Sequence, residues 1–375
     1  MNLSKYSLLG MKEEEELLAS FPRFPVKMGV TSSEEKTDLF EDLEFYIGKE
    51  SGLIHLGKTI DPEVLYSDSH YNNVGRTWQM HHEAFAEFIS KYSPKSVFEI
   101  GGGRGVLSCC YKKHDDIKWT ILEAAPEPVE ECTAEYEQGI FDENYQFKDS
   151  FDAVVHTHTM EHFLKPVEMI KHIGDSMGQG TWMFFSVPNL EEMYKRCYTN
   201  VLNFEHTYLC SEPYVSWILA KGGYRVVERR LFMEDHSVFY AARQEGITQN
   251  ITGYEGLYDN NRNLFSKWLS YHENLSKEIN KKIKEAGDNK TVYLFGAHVF
   301  AQYLLAFGID DERIVCVLDN DKMKQGKRLY GTRYEVKSPN VVREDVKPII
   351  ILHAGVHTKE IQEQILQINS HAVFI

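Results

Sequence analysis

The chain has 375 residues and a formal net charge of −15, with 42% hydrophobic and 26% charged residues. That is too long for one ordinary core and too apolar for disorder, so two folded domains after an N-terminal extension are expected. The acidic balance excludes a surface built to wrap a nucleic-acid phosphate backbone and weighs against anionic membranes, which leaves small-molecule chemistry.

Residues 1–70 give the weakest pattern. Met1 to Gly10 runs into Lys12-Glu13-Glu14-Glu15-Glu16 without the features of a secretory signal, and no apolar run reaches the length of a membrane span, so a cytoplasmic location is expected. Leu39 to Tyr46 is acidic and aromatic, and Ser51 to Leu56 reads as a short strand. From Tyr71 to Ser90 the apolar residues Trp78, Phe85, Phe88 and Ile89 recur at helical spacing.

Strands and helices then alternate. Val97 to Ile100 reads as a buried parallel strand ending in glycines, followed by a helix from Val106, a strand Trp119 to Leu122 and a helix opened by Pro126. Next come a strand Phe151 to Val155, a helix Val167 to Met177 and a strand Trp182 to Val187. The helix Ser211 to Ala220 stops at Gly222-Gly223, and strands Tyr224 to Leu231 and Val238 to Arg243 close as a hairpin. Such alternation predicts an α/β doubly wound parallel sheet, with the hairpin adding an antiparallel strand.

Gly246 to Gly253 reads as a linker, and Tyr254 to Ala286 as a charged helix. A second, smaller alternation follows: strands at Thr291 to Phe295, Ile314 to Leu318, Ile349 to Leu352 and Ala372 to Ile375, and helices at Val299 to Phe307 and Thr358 to Leu366. That predicts a Rossmann-like C-terminal domain. Asp319-Asn320-Asp321 reads as a strand-end turn because it lacks the remaining ligand spacing of a calcium loop.

Glu99-Ile100-Gly101-Gly102-Gly103-Arg104-Gly105 leaves a strand and enters a helix. Glycines there let the backbone turn tightly and approach a ligand. Glu123 ends the next strand, where an acid can hold both hydroxyls of a ribose. The E-x-G-x-G-x-G spacing resembles motif I of class I methyltransferases, which bind the adenosyl group of S-adenosylmethionine. The run His158 to Pro166, containing Glu161-His162, resembles the segment that follows the fourth strand of many small-molecule methyltransferases.

Asn203-Phe204-Glu205-His206-Thr207-Tyr208-Leu209 follows the strand Trp182 to Val187. A histidine at that sheet edge can take a proton, since its pKa lies near working pH. This run, together with His162, Tyr71-Asn72-Asn73-Val74, Tyr293 to Ala297 and Val317 to Gly326, resembles sugar C-methyltransferases, which act on nucleotide-linked 4-keto deoxysugars. The resemblance implies a catalytic group of His206, Glu205, His162 and Tyr71, and a cofactor site of Glu99, Gly101, Gly103 and Glu123. It also implies domains at 1–70, 71–245 and 254–375: a degenerate zinc-module-like extension, a class I methyltransferase domain, and a smaller Rossmann-like domain.

Two features differ from that family. Its four-cysteine zinc module has no counterpart, because no cysteine precedes Cys109, so no metal is assigned. Asn203 stands where the family carries a tyrosine. The six cysteines form no CxxC pair and read as reduced thiols. The expectation is an S-adenosylmethionine-dependent enzyme acting on a sugar nucleotide or related metabolite, with O- or N-methylation as the alternative chemistry. A non-catalytic binding protein of the same fold is the alternative class.

Overall fold

The computed structural model describes residues 13–66, 75–112, 117–248, 256–287, 290–354 and 358–375. The chain divides into two compact units. One takes in residues up to Leu18, Phe45–Met193 and Val201–Arg262, and the other Ala19–Glu44, Tyr194–Asn200 and Asn263–Ile375.

In chain order the chain begins with β1 (Glu15–Pro25), β2 (Val30–Thr31), β3 (Phe40–Gly48), β4 (Ile54–Leu56), α1 (Pro62–Leu65) and α2 (Arg76–Ser90). It continues through β5 (Ser96–Ile100), α3 (Val106–Tyr111), β6 (Lys118–Glu123), β7 (Glu135–Gln138), β8 (Ala153–Thr157), α4 (Pro166–Met177) and β9 (Trp182–Pro188). Next are α5 (Leu190–Lys195), α6 (Glu212–Lys221), β10 (Tyr224–Phe232), β11 (Ser237–Gln244) and α7 (Leu257–Glu285). The remainder comprises β12 (Val292–Phe295), α8 (Val299–Ala306), β13 (Ile314–Leu318), β14 (Arg328–Leu329), β15 (Val336–Lys337), β16 (Ile349–Ile351), α9 (Thr358–Ile368) and β17 (Val373–Phe374).

The first unit is built on a seven-stranded sheet ordered β10-β11-β9-β8-β5-β6-β7. Strands β5 to β9 pair in parallel. β11 runs antiparallel to both neighbours, as the closing hairpin predicts. Every residue of β8 is buried, as a strand covered on both faces requires, His156 and Thr157 included. β10 lies at the sheet's edge and alternates more and less exposed positions along its length.

From β5 the chain builds outward to β7, then returns to β8 on the other side of β5. The reversal opens a crevice at the carboxyl ends of β5 and β8. Under it, Phe85, Phe88 and Ile89 of α2 pack on Val97, Val155, Phe184 and Phe239, all fully buried. Each such side chain contributes about 1.5–3 kcal/mol by leaving water.

Pro126 opens no helix, because residues 124–134 are irregular and lead into β7. Pro128 follows two residues later and disfavours helical geometry at Glu127, so a first turn cannot propagate. In residues 1–70, Leu39 to Tyr46 belongs largely to β3, where Leu43, Phe45 and Ile47 are fully buried and alternate with the less buried Glu44 and Tyr46. That is the period-two pattern of a half-buried strand. β3 pairs antiparallel with β4, Phe45 opposite Leu56.

The second unit carries a parallel sheet ordered β15-β13-β12-β16-β17. Its alternation is visible in β12: Val292 and Leu294 face a core with Leu304 of α8, while Tyr293 and Phe295 face one with Ile361 and Ile365 of α9. Asp319 to Asp321 form the expected turn, Asp321 N–H donating to Asp319 Oδ1 at 2.9 Å. A half-buried ion pair braces this unit, with Arg328 Nη1 2.5 Å and Nη2 2.9 Å from the two Asp38 oxygens. Among the described residues no helix is long and apolar enough to cross a membrane. All six cysteines are free thiols.

Candidate active site

The glycine loop leaves β5 with three residues at positive φ: Gly101 at 68°, Gly103 at 54° and Gly105 at 75°. These conformations are costly for any residue with a Cβ. Gly103 N–H donates to Glu123 Oε2 at 2.8 Å, and Ala125 N–H to Glu123 Oε1 at 3.2 Å, so the acid at the end of β6 is held against the loop. Glu99 lies beneath it. Its carboxylate accepts from the Trp119 indole at 2.8 Å and is 1% exposed. A Cβ on Gly102 would stand 2.8 Å from the Glu99 carboxyl carbon and 2.7 Å from Ile121, so the backbone lies directly on that carboxyl. Burial pushes Glu99 up to about 7; the Trp119 bond opposes this and the charge of Glu123 adds to it. A bare-backbone cradle closed by an acid fits an adenosyl group with its ribose hydroxyls.

Beside the loop, the segment after β8 carries the second group. Thr159 Oγ1 reaches the Ile100 carbonyl at 3.4 Å and would lie 3.2 Å from a Cβ on Gly101. Met160–His162 form a short 3-10 turn. This turn is stitched to the run Asn203 to Leu209: Thr207 N–H donates to the Glu161 carbonyl at 3.2 Å, and Tyr208 Oη to the Met160 carbonyl at 2.8 Å. Asn203 shapes that run, its Oδ1 accepting the Glu205 N–H at 2.8 Å and the His206 N–H at 3.2 Å.

Two distant sequence motifs thereby meet. The His162 and His206 rings stand edge to face, 5.0 Å between centroids. Tyr66 Oη lies 2.6 Å from His162 Nδ1. Burial, then the charges of Glu205, Glu161 and Glu123, raise the Tyr66 phenol well above its ordinary range, so it stays protonated and is the donor. Burial, reinforced by His206, holds His162 well below the usual histidine range, which keeps it neutral. With Nδ1 accepting, the His162 proton sits on Nε2, 3.8 Å from Glu161 Oε1. His206 Nδ1 lies 3.2 Å from the Val201 carbonyl, an acceptor only, so Nδ1 carries the proton and Nε2 the basic lone pair.

The site thus brings together His162, Glu205 and His206 beside Gly101, Gly103, Glu99 and Glu123. Tyr71 lies outside the described residues. Two groups escaped the sequence reading. Tyr66 precedes the helical pattern and no spacing connects it to position 162. Glu161 was visible beside His162, but its environment was not. It is fully buried, with no hydrogen bond on either carboxylate oxygen among the described residues, and burial pushes it up to about 8. His156, two strand positions before His158, is a core residue stacked on Phe185 at 4.9 Å.

A parallel sheet with its reversal between β5 and β8, a glycine cradle closed by an acid and imidazoles beside it together form the arrangement of a methyltransferase domain. Residues 75–229 match the family model of a methyltransferase domain, and residues 256–374 that of a C-methyltransferase C-terminal domain. No curated protein matches the chain.

Among solved structures, the chain is similar to an O-methyltransferase family protein from Burkholderia thailandensis, at 14% identity over 45% of this chain and 56% of that one, TM-score 0.35. It is similar to mitomycin 7-O-methyltransferase MmcR, at 17% identity over 48% and 62%, TM-score 0.36. It is also similar to magnesium protoporphyrin IX methyltransferase from Synechocystis PCC 6803 with bound SAH, at 14% identity over 45% and 84%, TM-score 0.36. The chain therefore spans 56% and 62% of the first two of these structures.

Proposed function

We propose that this chain methylates a carbon of a nucleotide-linked keto sugar, with His206 as the general base. The observation that carries the reading is the Tyr66–His162–His206 assembly beside the glycine loop: a protonated phenol and two imidazoles in one buried place. A carbon next to a ketone must lose a proton before it can attack a methyl group, and hydroxyls and amines are nucleophilic without that step. His206 Nε2 takes the proton from the carbon, and the electron pair moves toward the ketone oxygen. Tyr66, kept protonated, donates its one O–H to His162 Nδ1, and the His162 Nε2–H so fixed supplies a hydrogen bond to that oxygen as its charge develops. Glu205 holds sugar hydroxyls, while Gly101, Gly103 and Glu123 hold the cofactor over a loop braced by Glu99. When bound, S-adenosylmethionine supplies an electrophilic methyl group on a sulfonium, whose leaving sulfur keeps the bonding pair.

The experiment combines product analysis with proton exchange. Nucleotide-linked keto sugars are incubated with methyl-labelled S-adenosylmethionine, and products are read by mass spectrometry. In parallel, deuterium uptake at the carbon beside the ketone is followed in heavy water without cofactor. His206→Ala is expected to keep cofactor affinity while losing exchange and lowering turnover by about 100- to 10,000-fold. Glu205→Gln is expected to lose less. Label transferred to oxygen or nitrogen, without deuterium uptake by the parent protein, would overturn the carbon-acid reading.

A further inference from the structure

A second histidine cluster lies in the first unit, outside the base assembly, and the proposed reaction does not use it. His81 on α2, His158 after β8 and His236 before β11 each offer a ring nitrogen, and the three nitrogens lie within 4.8 Å of one another. Ring centroids are 5.6 Å apart for His81 and His158, 5.4 Å for His81 and His236, and 5.8 Å for His158 and His236.

Three details separate this cluster from ordinary core histidines. First, His81 is 0% exposed and neither ring nitrogen has a hydrogen-bond partner among the described residues. An unsatisfied buried polar group is costly, so two on one ring call for a ligand. Second, the other rings converge on one hydroxyl: Ser237 Oγ lies 2.7 Å from His158 Nε2 and 2.6 Å from His236 Nδ1. Third, His158 takes a left-handed backbone, φ 49°, that a non-glycine residue adopts at a cost and that aims its ring into the cluster.

We propose that His81, His158 and His236 bind one transition-metal ion of the Zn2+ type, with the Ser237 hydroxyl or a water in the fourth position. Three imidazoles and an oxygen are a tetrahedral zinc set, with metal–nitrogen distances of about 2.0–2.1 Å. Nitrogens around such an ion stand closer than the present 4.8 Å limit, so the rings draw together on binding. Coordination through His158 Nε2 leaves Nδ1–H toward Glu161 Oε1, now 3.8 Å away. A buried carboxylate behind a ligating histidine is a recurrent outer-shell arrangement. One ion would thus give partners to both groups the fold leaves orphaned, His81 and Glu161. It would also tie α2 and the start of β11 to the loop after β8, and so fix the turn that carries Glu161 and His162.

The test uses the full chain, stripped with chelator and titrated with Co2+. The expected result is visible ligand-field absorption of a tetrahedral nitrogen site, saturating at one ion per chain and abolished by Zn2+. His236→Asn is expected to lose the bands while retaining parent-like circular dichroism and S-adenosylmethionine affinity. His81→Phe, an apolar ring placed among Phe85, Phe232 and Phe239, provides a second variant should the first fail to fold, with the same loss expected. The proposal is overturned by absence of the bands, by bands that survive both histidine variants, or by bands lost in His206→Ala and kept in His236→Asn, which would put the ion among Glu161, His162 and His206.

Discussion

Replacing Glu99 by glutamine tests whether the carboxyl under the glycine loop stays protonated near neutrality. Its pKa rises from an ordinary 4.5 to about 7, chiefly through burial. Below pH 4.5 the acid is protonated in both folded and unfolded chains, and no penalty exists. Between 4.5 and about 7 the unfolded chain ionises first, so stability falls as pH rises. Above about 7 both forms are ionised and the loss is complete. At roughly 1.4 kcal/mol per pH unit, the interval amounts to about 3 kcal/mol. Glu99→Gln keeps an oxygen for the Trp119 indole and cannot ionise.

The stability difference between the variant and the parent should therefore grow by about 3 kcal/mol from pH 4.5 to 7 and then level off. Urea unfolding of both proteins at half-unit pH steps, without cofactor, measures it. Taking the difference removes other titrating groups, Glu161 included. A difference that stays flat across this window would mean that the Glu99 carboxyl ionises normally. The loop would then rest on a charged, hydrated group and not on a buried acid.

Gly103→Val puts a β-branched residue at φ 54° where the loop faces the acid; calorimetry should show S-adenosylmethionine binding lost or weakened at least tenfold, and parent-like binding would put the cofactor elsewhere. In the second unit, Asp38→Ala takes the carboxylate from the half-buried Arg328 and leaves it the Ser33 and Thr332 carbonyls. Denaturant unfolding should show a loss of about 1–3 kcal/mol, whereas an unchanged midpoint would show that the pair contributes nothing. Tyr66→Phe removes the donor to His162 without changing ring volume, and turnover should fall while cofactor affinity holds. Equal turnover in variant and parent would remove Tyr66 from the reaction.

Residues close together in the chain made part of this protein legible. The order of strands and helices, the hairpin and the glycine loop with Glu123 follow from periodicity and from glycines where backbone must turn, all of them local signals. Pro128 escaped because its effect falls on the residue before it, and β3 because its buried Leu43, Phe45 and Ile47 stand among acids and aromatics that blur the alternation. The chemistry of the site was less legible. His206 and His162 could be named one by one, but their contact at 5.0 Å depends on hydrogen bonds between the 160s and the 200s. Tyr66 reaches His162 across 96 positions. His81 reads in the sequence as one more position on the buried face of α2, and becomes a candidate ligand only when the sheet brings His158 and His236 beside it. Propensity and periodicity act over a few residues, whereas which polar groups are buried together, and which are left without partners, is decided when the sheet closes.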